Sequence, residues 1–209
     1  MSKVLIAMPS TGLIPMFTVH AMLAMRSTYP AEWYLIGHSL VYDAREMAIK
    51  QMKSGDFSHI FFMDSDMTPP PDIITKLIAH DKDIVSGIAF KRFAPYEPCF
   101  FKSITEDKAE HYFDYPENEL LEVEGVGMAC CLIKREVFDK LEEPYFFPKE
   151  GIGEDLAFCV RAKEAGFKMY VDTSIVVGHV TNAIITDQHF KTHREKVKRL
   201  DSRHDVSQK

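Results

Sequence analysis

No apolar run in this sequence approaches the roughly 18 residues that a membrane-spanning helix needs. The opening Met1-Ser2-Lys3-Val4-Leu5-Ile6 reaches Pro9 too soon for a secretory signal. Together these absences predict a cytoplasmic protein without a membrane span. Cysteine is scarce. Cys99, Cys130, Cys131 and Cys159 show no C-x-x-C spacing, and the adjacent pair would point to opposite faces of a strand, so reduced, buried thiols are expected. Positive charge is short as well: the chain carries −6 overall, and since residues 191–209 hold +4, the remainder holds −10. An acidic body is poorly built to grip a polyanion, which counts against a nucleic-acid acceptor for the main domain and leaves the basic tail as a separate question. Internal repeats and low-complexity segments are absent.

What is present suits one globular domain. The 209 residues, 46% hydrophobic and 27% charged, are enough to bury a sizeable core. Strand and helix alternate at short spacing through the first part: a strand over 3–8, a helix over 18–27, a strand over 32–36, a helix capped by Asp43, a strand over 60–63, a helix started by Pro69-Pro70-Pro71 with Asp72 in its first turn, and a strand over 83–88. That alternation predicts βαβ units and a parallel sheet. After Lys91-Arg92 the pattern becomes irregular, with short strands expected around 99–102, 110–113 and 120–124. One glycine-rich strand over 125–133, a short helix over 134–141, a helix opened by Glu154-Asp155, and short strands over 168–171 and 175–177 follow.

Chemistry concentrates at element ends. Asp64-Ser65-Asp66 directly follows the apolar run Ile60-Phe61-Phe62-Met63, and ligands of parallel sheets bind where strands end. Two carboxylates about one small residue suit a hard divalent cation, with one oxygen on the metal and the other in an outer contact. Glu154-Asp155 opens a helix after Gly151-Ile152-Gly153, and His179 follows Gly178 at the end of a late strand. Each acid pair also has a plain reading, as a helix cap or a partner of the helix dipole.

The joint order of these stretches resembles the GT-A class of nucleotide-sugar glycosyltransferases, especially the family 2-like members. The matching stretches are Phe61-Phe62-Met63-Asp64-Ser65-Asp66, Gly153-Glu154-Asp155-Leu156-Ala157-Phe158-Cys159 and Val176-Val177-Gly178-His179, with Ala44-Arg45-Glu46 similar to an Ala-Arg-Asn stretch and Glu46 a departure. The resemblance covers about residues 3–180. It implies an α/β fold with a Rossmann-like, mixed but mainly parallel sheet flanked by helices, and a smaller irregular half on the acceptor side. The expected organisation is a catalytic domain over 1–182, with a nucleotide half (1–92) and an acceptor half (93–182), and a basic helical appendage over 183–209.

It further implies metal-dependent transfer of a sugar from a nucleotide-diphosphate donor, UDP-linked by default, to a carbohydrate, lipid-linked or other hydroxyl acceptor, with inversion. Asp66 is the first choice as metal ligand, with His179 and Asp64 beside it, and Mn²⁺ is preferred over Mg²⁺ because imidazole suits it better. Asp155 is the expected base and Glu154 the reserve. Pro9, Ser10, Thr11, Arg45, Ser65, Lys91, Arg92, Gly125 and Gly127 are the remaining donor-binding candidates, Arg45 through the base or ribose and Lys91 or Arg92 through phosphate. Two rivals stand beside this reading. A nucleotidyltransferase would need a better phosphate loop than Ser10-Thr11-Gly12, and a non-catalytic sugar- or nucleotide-binding module would not need both acid sites. A homo-oligomer and attachment of the tail to an anionic surface are further expectations.

Overall fold

The computed structural model describes residues 2–105, 108–149, 151–181 and 184–194. Its first part runs β1 (Val4–Ser10), α1 (Met16–Ala24), β2 (Ala31–Gly37), α2 (Val41–Ser54), β3 (His59–Met63), β4 (Met67–Thr68), α3 (Ile73–Ala79) and β5 (Ile84–Ile88). The second part runs β6 (Phe100–Ile104), β7 (Ala109–His111), β8 (Leu120–Val123), β9 (Gly125–Val126), β10 (Cys130–Lys134), α4 (Arg135–Lys140), α5 (Glu154–Glu164), β11 (Met169–Val176), β12 (Gly178–Val180) and β13 (Ile184–Ile185). A helix over 187–194 follows.

Seven strands form the main sheet in the order β2-β1-β3-β10-β5-β11-β8. Five run one way; β10 and β8 run against them. This is the mixed, mainly parallel, helix-flanked sheet of the GT-A class. β3 and β5 are buried along their whole length, and apolar apart from His59 and Ser86, because helices cover both faces of a central parallel strand. Adjacent residues then serve different layers: Cys131 packs with Phe62 and Ala48 on the α2 side, and Cys130 with Phe61 and Leu77 on the α3 side. All four cysteines are free thiols.

Four expectations need correction. The stretch 125–133 is two strands, because after the short β9 the backbone leaves one small sheet and enters the main one as β10. The division at residue 92 is not spatial, since β10 inserts between β3 and β5 and β11 extends the same sheet. α2 begins at Val41, so Asp43 lies inside the first turn, where its charge favours the helix dipole without capping. Nor is the segment after residue 183 wholly an appendage: Phe190 is 2% exposed and packs on Phe90, Phe113 and Tyr115, Tyr96 meets His189 and His193, and Lys191 pairs with Glu117 at 2.7 Å. Phe190 thus finds its partners across the fold. Val197, Leu200 and the basic residues from Lys196 onward lie outside the described residues.

Because Phe190 is part of the core, Phe190→Ala should cost about 3 kcal/mol. Urea denaturation measures it, and an unchanged midpoint would restore the appendage reading.

Candidate active site

The carboxyl ends of β1, β2 and β3 meet at a cavity of about 280 Å³ lined by Pro9, Ser10, Thr11, Ser39, Val41, Asp64, Ser65, Asp66 and Arg92. Seven of these are sequence candidates. Ser39 and Val41 were not, although they follow the end of β2, where the strand-end rule already directs attention. The aromatics Phe90 and Phe100 are buried in the core.

Asp64 and Asp66 face different partners. After β3 the chain turns, Met67 N–H donating to the Asp64 carbonyl, and β4 then pairs with β12 so that His179 lies opposite Met67. Asp66 is thereby brought to His179, with Oδ2 3.3 Å from Nε2, and to Arg92 Nη1 at 3.1 Å. Burial pushes the Asp66 carboxyl up, but the His179 bond and the positive charges of His179 and Arg92 outweigh it and hold the group below its ordinary value.

The imidazole is fixed from behind. Its Nδ1 lies 2.6 Å from the Phe90 carbonyl oxygen, which can only accept, so Nδ1 carries the proton. In the neutral ring Nε2 is then a lone pair facing a carboxylate, an arrangement that calls for a cation between them, either a proton on Nε2 or a metal ion. The donor set therefore fits a divalent ion. Among the described residues no three His, Cys, Asp or Glu side chains gather into a metal cage, so Asp66 and His179 would supply two ligands and a bound diphosphate and water the rest. Gly178 makes the β4–β12 contact possible: a Cβ there would lie 2.3 Å from Thr68 Oγ1 and 2.6 Å from Ile184 Cγ2. Gly178→Ala should displace His179 from Asp66, at a stability cost of about 1–3 kcal/mol. Thermal melts read it, and a wild-type Tm would show that the glycine is dispensable.

Beneath the cavity lies a second cluster. Arg45, on the buried face of α2 and 2% exposed, bonds Glu154 at 2.6 Å, Asp64 at 3.3 Å, and Asp155. Burial opposes its charge, yet Asp155, Asp64 and Glu154 together hold it above its ordinary value. Asp64 and Glu154 are held above the usual carboxylate range, first by burial and then by their acidic neighbours, with Arg45 pulling the other way. Asp155 Oδ2 also accepts the Met128 N–H at 3.1 Å, so both of its oxygens are oriented. Glu154 and Asp155 occupy the first two positions of α5, where the helix terminus favours negative charge.

Three donor-binding expectations are corrected by this geometry. Arg45 is absent from the lining of the cavity and ties three acids together; as a long buried cation it needs them. Lys91 pairs with Glu97 at 2.6 Å and does not line the cavity. Gly125 faces apolar packing, since a Cβ there would meet Ile104 at 2.5 Å and Leu156 at 3.2 Å; Gly127 does lie beside Asp155, its Cβ position 3.7 Å from Oδ2. The departure at Glu46 has a structural use: its Oε1 accepts the Phe146 N–H at 2.5 Å and pins the loop before α5.

Residues 20–200 match the family described as glycosyltransferase-like family 2. The crystal structure of A197 from STIV superimposes with a TM-score of 0.67, covering 87% of this chain and 86% of that one at 22% identity. Procollagen-lysine,2-oxoglutarate 5-dioxygenase of Drosophila melanogaster is 24% identical over 146 residues, which is 66% of this chain but 20% of that protein, so the chain spans about a fifth of that relative's length. With most of its length matched to the family, with Asp66 paired to His179, and with Asp64 joined through Arg45 to the helix-opening Glu154 and Asp155, the chain belongs to the family 2-like glycosyltransferases.

Proposed function

We propose that the protein transfers a sugar from a nucleotide-diphosphate donor, UDP-linked by default, to a hydroxyl acceptor, with a divalent ion and with inversion. The observation that carries this reading is the pairing of Asp66, which lines the cavity at the strand ends, with His179, Oδ2 lying 3.3 Å from Nε2. Asp66 and His179 hold the ion, Mn²⁺ by preference because an imidazole is among the donors. When bound, the ion neutralises charge on the diphosphate leaving group. Ser10, Thr11, Ser39 and Val41 would border the nucleotide, and Arg92, which lines the same cavity, would contact a phosphate. Asp155 takes the proton of the acceptor hydroxyl as it attacks, its carboxylate aimed by Arg45 and by the Met128 N–H. Glu154, sharing Arg45, is the reserve base. The dioxygenase activity named for the Drosophila relative is not carried over, since four fifths of that protein lies outside the match.

A thermal-shift panel of nucleotide sugars with and without Mn²⁺ tests the donor. A ligand at about 100 times its Kd adds ~2.7 kcal/mol, which raises the Tm of a chain of this size by roughly 5–10 °C. A panel with no Mn²⁺-dependent shift speaks against the reading, and release of pyrophosphate in place of nucleoside diphosphate would favour nucleotidyl transfer.

A further inference from the structure

Three loops that border the cavity each carry a large apolar side chain turned to solvent, next to a residue that faces the cavity. Leu13, two residues after Thr11, is 83% exposed; Leu40, between Ser39 and Val41, is 60% exposed; Phe93, beside Arg92, is 77% exposed. Met16 and Phe17, in the first turn of α1, extend the Leu13 side and are exposed too. α1 contains no Asp, Glu, Lys or Arg, and Thr18 is its one fully buried residue. A helix on a water-facing surface carries charge on its outer side. This one does not, and the uncharged stretch runs from Val4 to Met25. Large apolar groups gathered at one end of a molecule mark a surface that something apolar covers.

Charge beside the rim narrows what that is. The 187–194 helix seats His189 and His193 on Tyr96, in the loop that carries Arg92 and Phe93. From the end of that helix the sequence continues with Lys196, Lys198, Arg199, Arg203 and Lys209 against Glu195, Asp201 and Asp205. A protein partner needs only the apolar rim. An apolar rim with a net positive chain end leaving from beside it is complementary to an anionic bilayer, where two weak signals together give stable attachment.

We propose that the mouth of the cavity docks on the surface of an anionic bilayer, with Leu13, Phe17, Leu40 and Phe93 entering the interface and the basic end supplying attraction. Resting on the glycosyl-transfer reading, this makes the acceptor a hydroxyl presented at a lipid surface. Flotation of the full chain with phosphatidylcholine vesicles, with and without phosphatidylglycerol, tests it. Wild type should float with the mixed vesicles, and the combined Phe17→Ser, Leu40→Ser and Phe93→Ser variant should bind about tenfold less tightly or weaker, with unchanged circular dichroism and an unchanged thermal shift by UDP and Mn²⁺. The proposal is overturned if wild type does not float, if the triple variant floats equally well, or if the rim instead mediates a concentration-dependent dimer that the substitutions abolish. A chain that floats through its rim yet binds no nucleotide sugar would sink the transfer reading and leave the docking face standing.

Discussion

Replacing Arg45 with methionine is expected to lower stability by about 3 kcal/mol, because it removes the cation that three partly buried carboxylates share. Methionine keeps much of the stem and its packing against Phe146, so the loss is electrostatic more than steric. The pH dependence distinguishes this from a simple packing defect. Asp64 and Glu154 already sit above the usual carboxylate range, and without Arg45 they rise further. A carboxyl whose folded-state value is raised binds its proton more tightly in the folded than in the unfolded chain, so the variant regains stability as pH falls through that window. The deficit should therefore be full at alkaline pH and shrink as pH falls through the raised range of these carboxylates. Urea melts across that range measure it; a deficit independent of pH would mean that the guanidinium serves packing alone. Activity should fall with it, since Asp155 loses one of the two contacts that aim it.

Asp155→Asn should retain the fold and nucleotide affinity while losing about 10²–10⁴ in transfer rate, because the amide keeps the shape of the side chain but cannot accept a proton. Glu154→Gln is the necessary companion, since both carboxylates share Arg45 and one could stand in for the other. The larger loss is expected at Asp155, whose second oxygen is oriented by Met128. Transfer at near wild-type rate by Asp155→Asn, with a large loss in Glu154→Gln, would move the base to the neighbouring residue. A product that retains the donor's anomeric configuration would remove the need for an acceptor-activating base of this kind.

Much of this architecture is readable from local pattern. The uninterrupted apolar run ahead of Asp64 marks a strand buried on both faces, and its end is where chemistry belongs in a parallel sheet. Long-range pairing is less legible. Nothing local says that β10 inserts between β3 and β5, because an antiparallel strand buried in the middle of a sheet has the same apolar composition as a parallel one. Arg45 shows the same limit: in its Ala-Arg-Glu stretch it reads as a base or ribose ligand, and only its three partners, two of them more than 100 residues away, reveal a structural cation. Phe190 was underrated for the converse reason, since its ring partners lie at Phe90, Phe113 and Tyr115. His179, by contrast, could be placed near Asp66 only through the family resemblance, and the β4–β12 pairing supplies the physical reason.

The central claim is that Asp66 and His179 hold an ion on which nucleotide binding depends. Titration calorimetry of UDP into wild type, Asp66→Ala and His179→Ala, each in Mn²⁺ and in excess chelator, tests it most directly. Wild type should bind at least about tenfold more tightly with Mn²⁺ than with chelator, and both variants should lose that increment while keeping their metal-free affinity. Equal binding by wild type in Mn²⁺ and in chelator, or full metal dependence surviving in either variant, would contradict it.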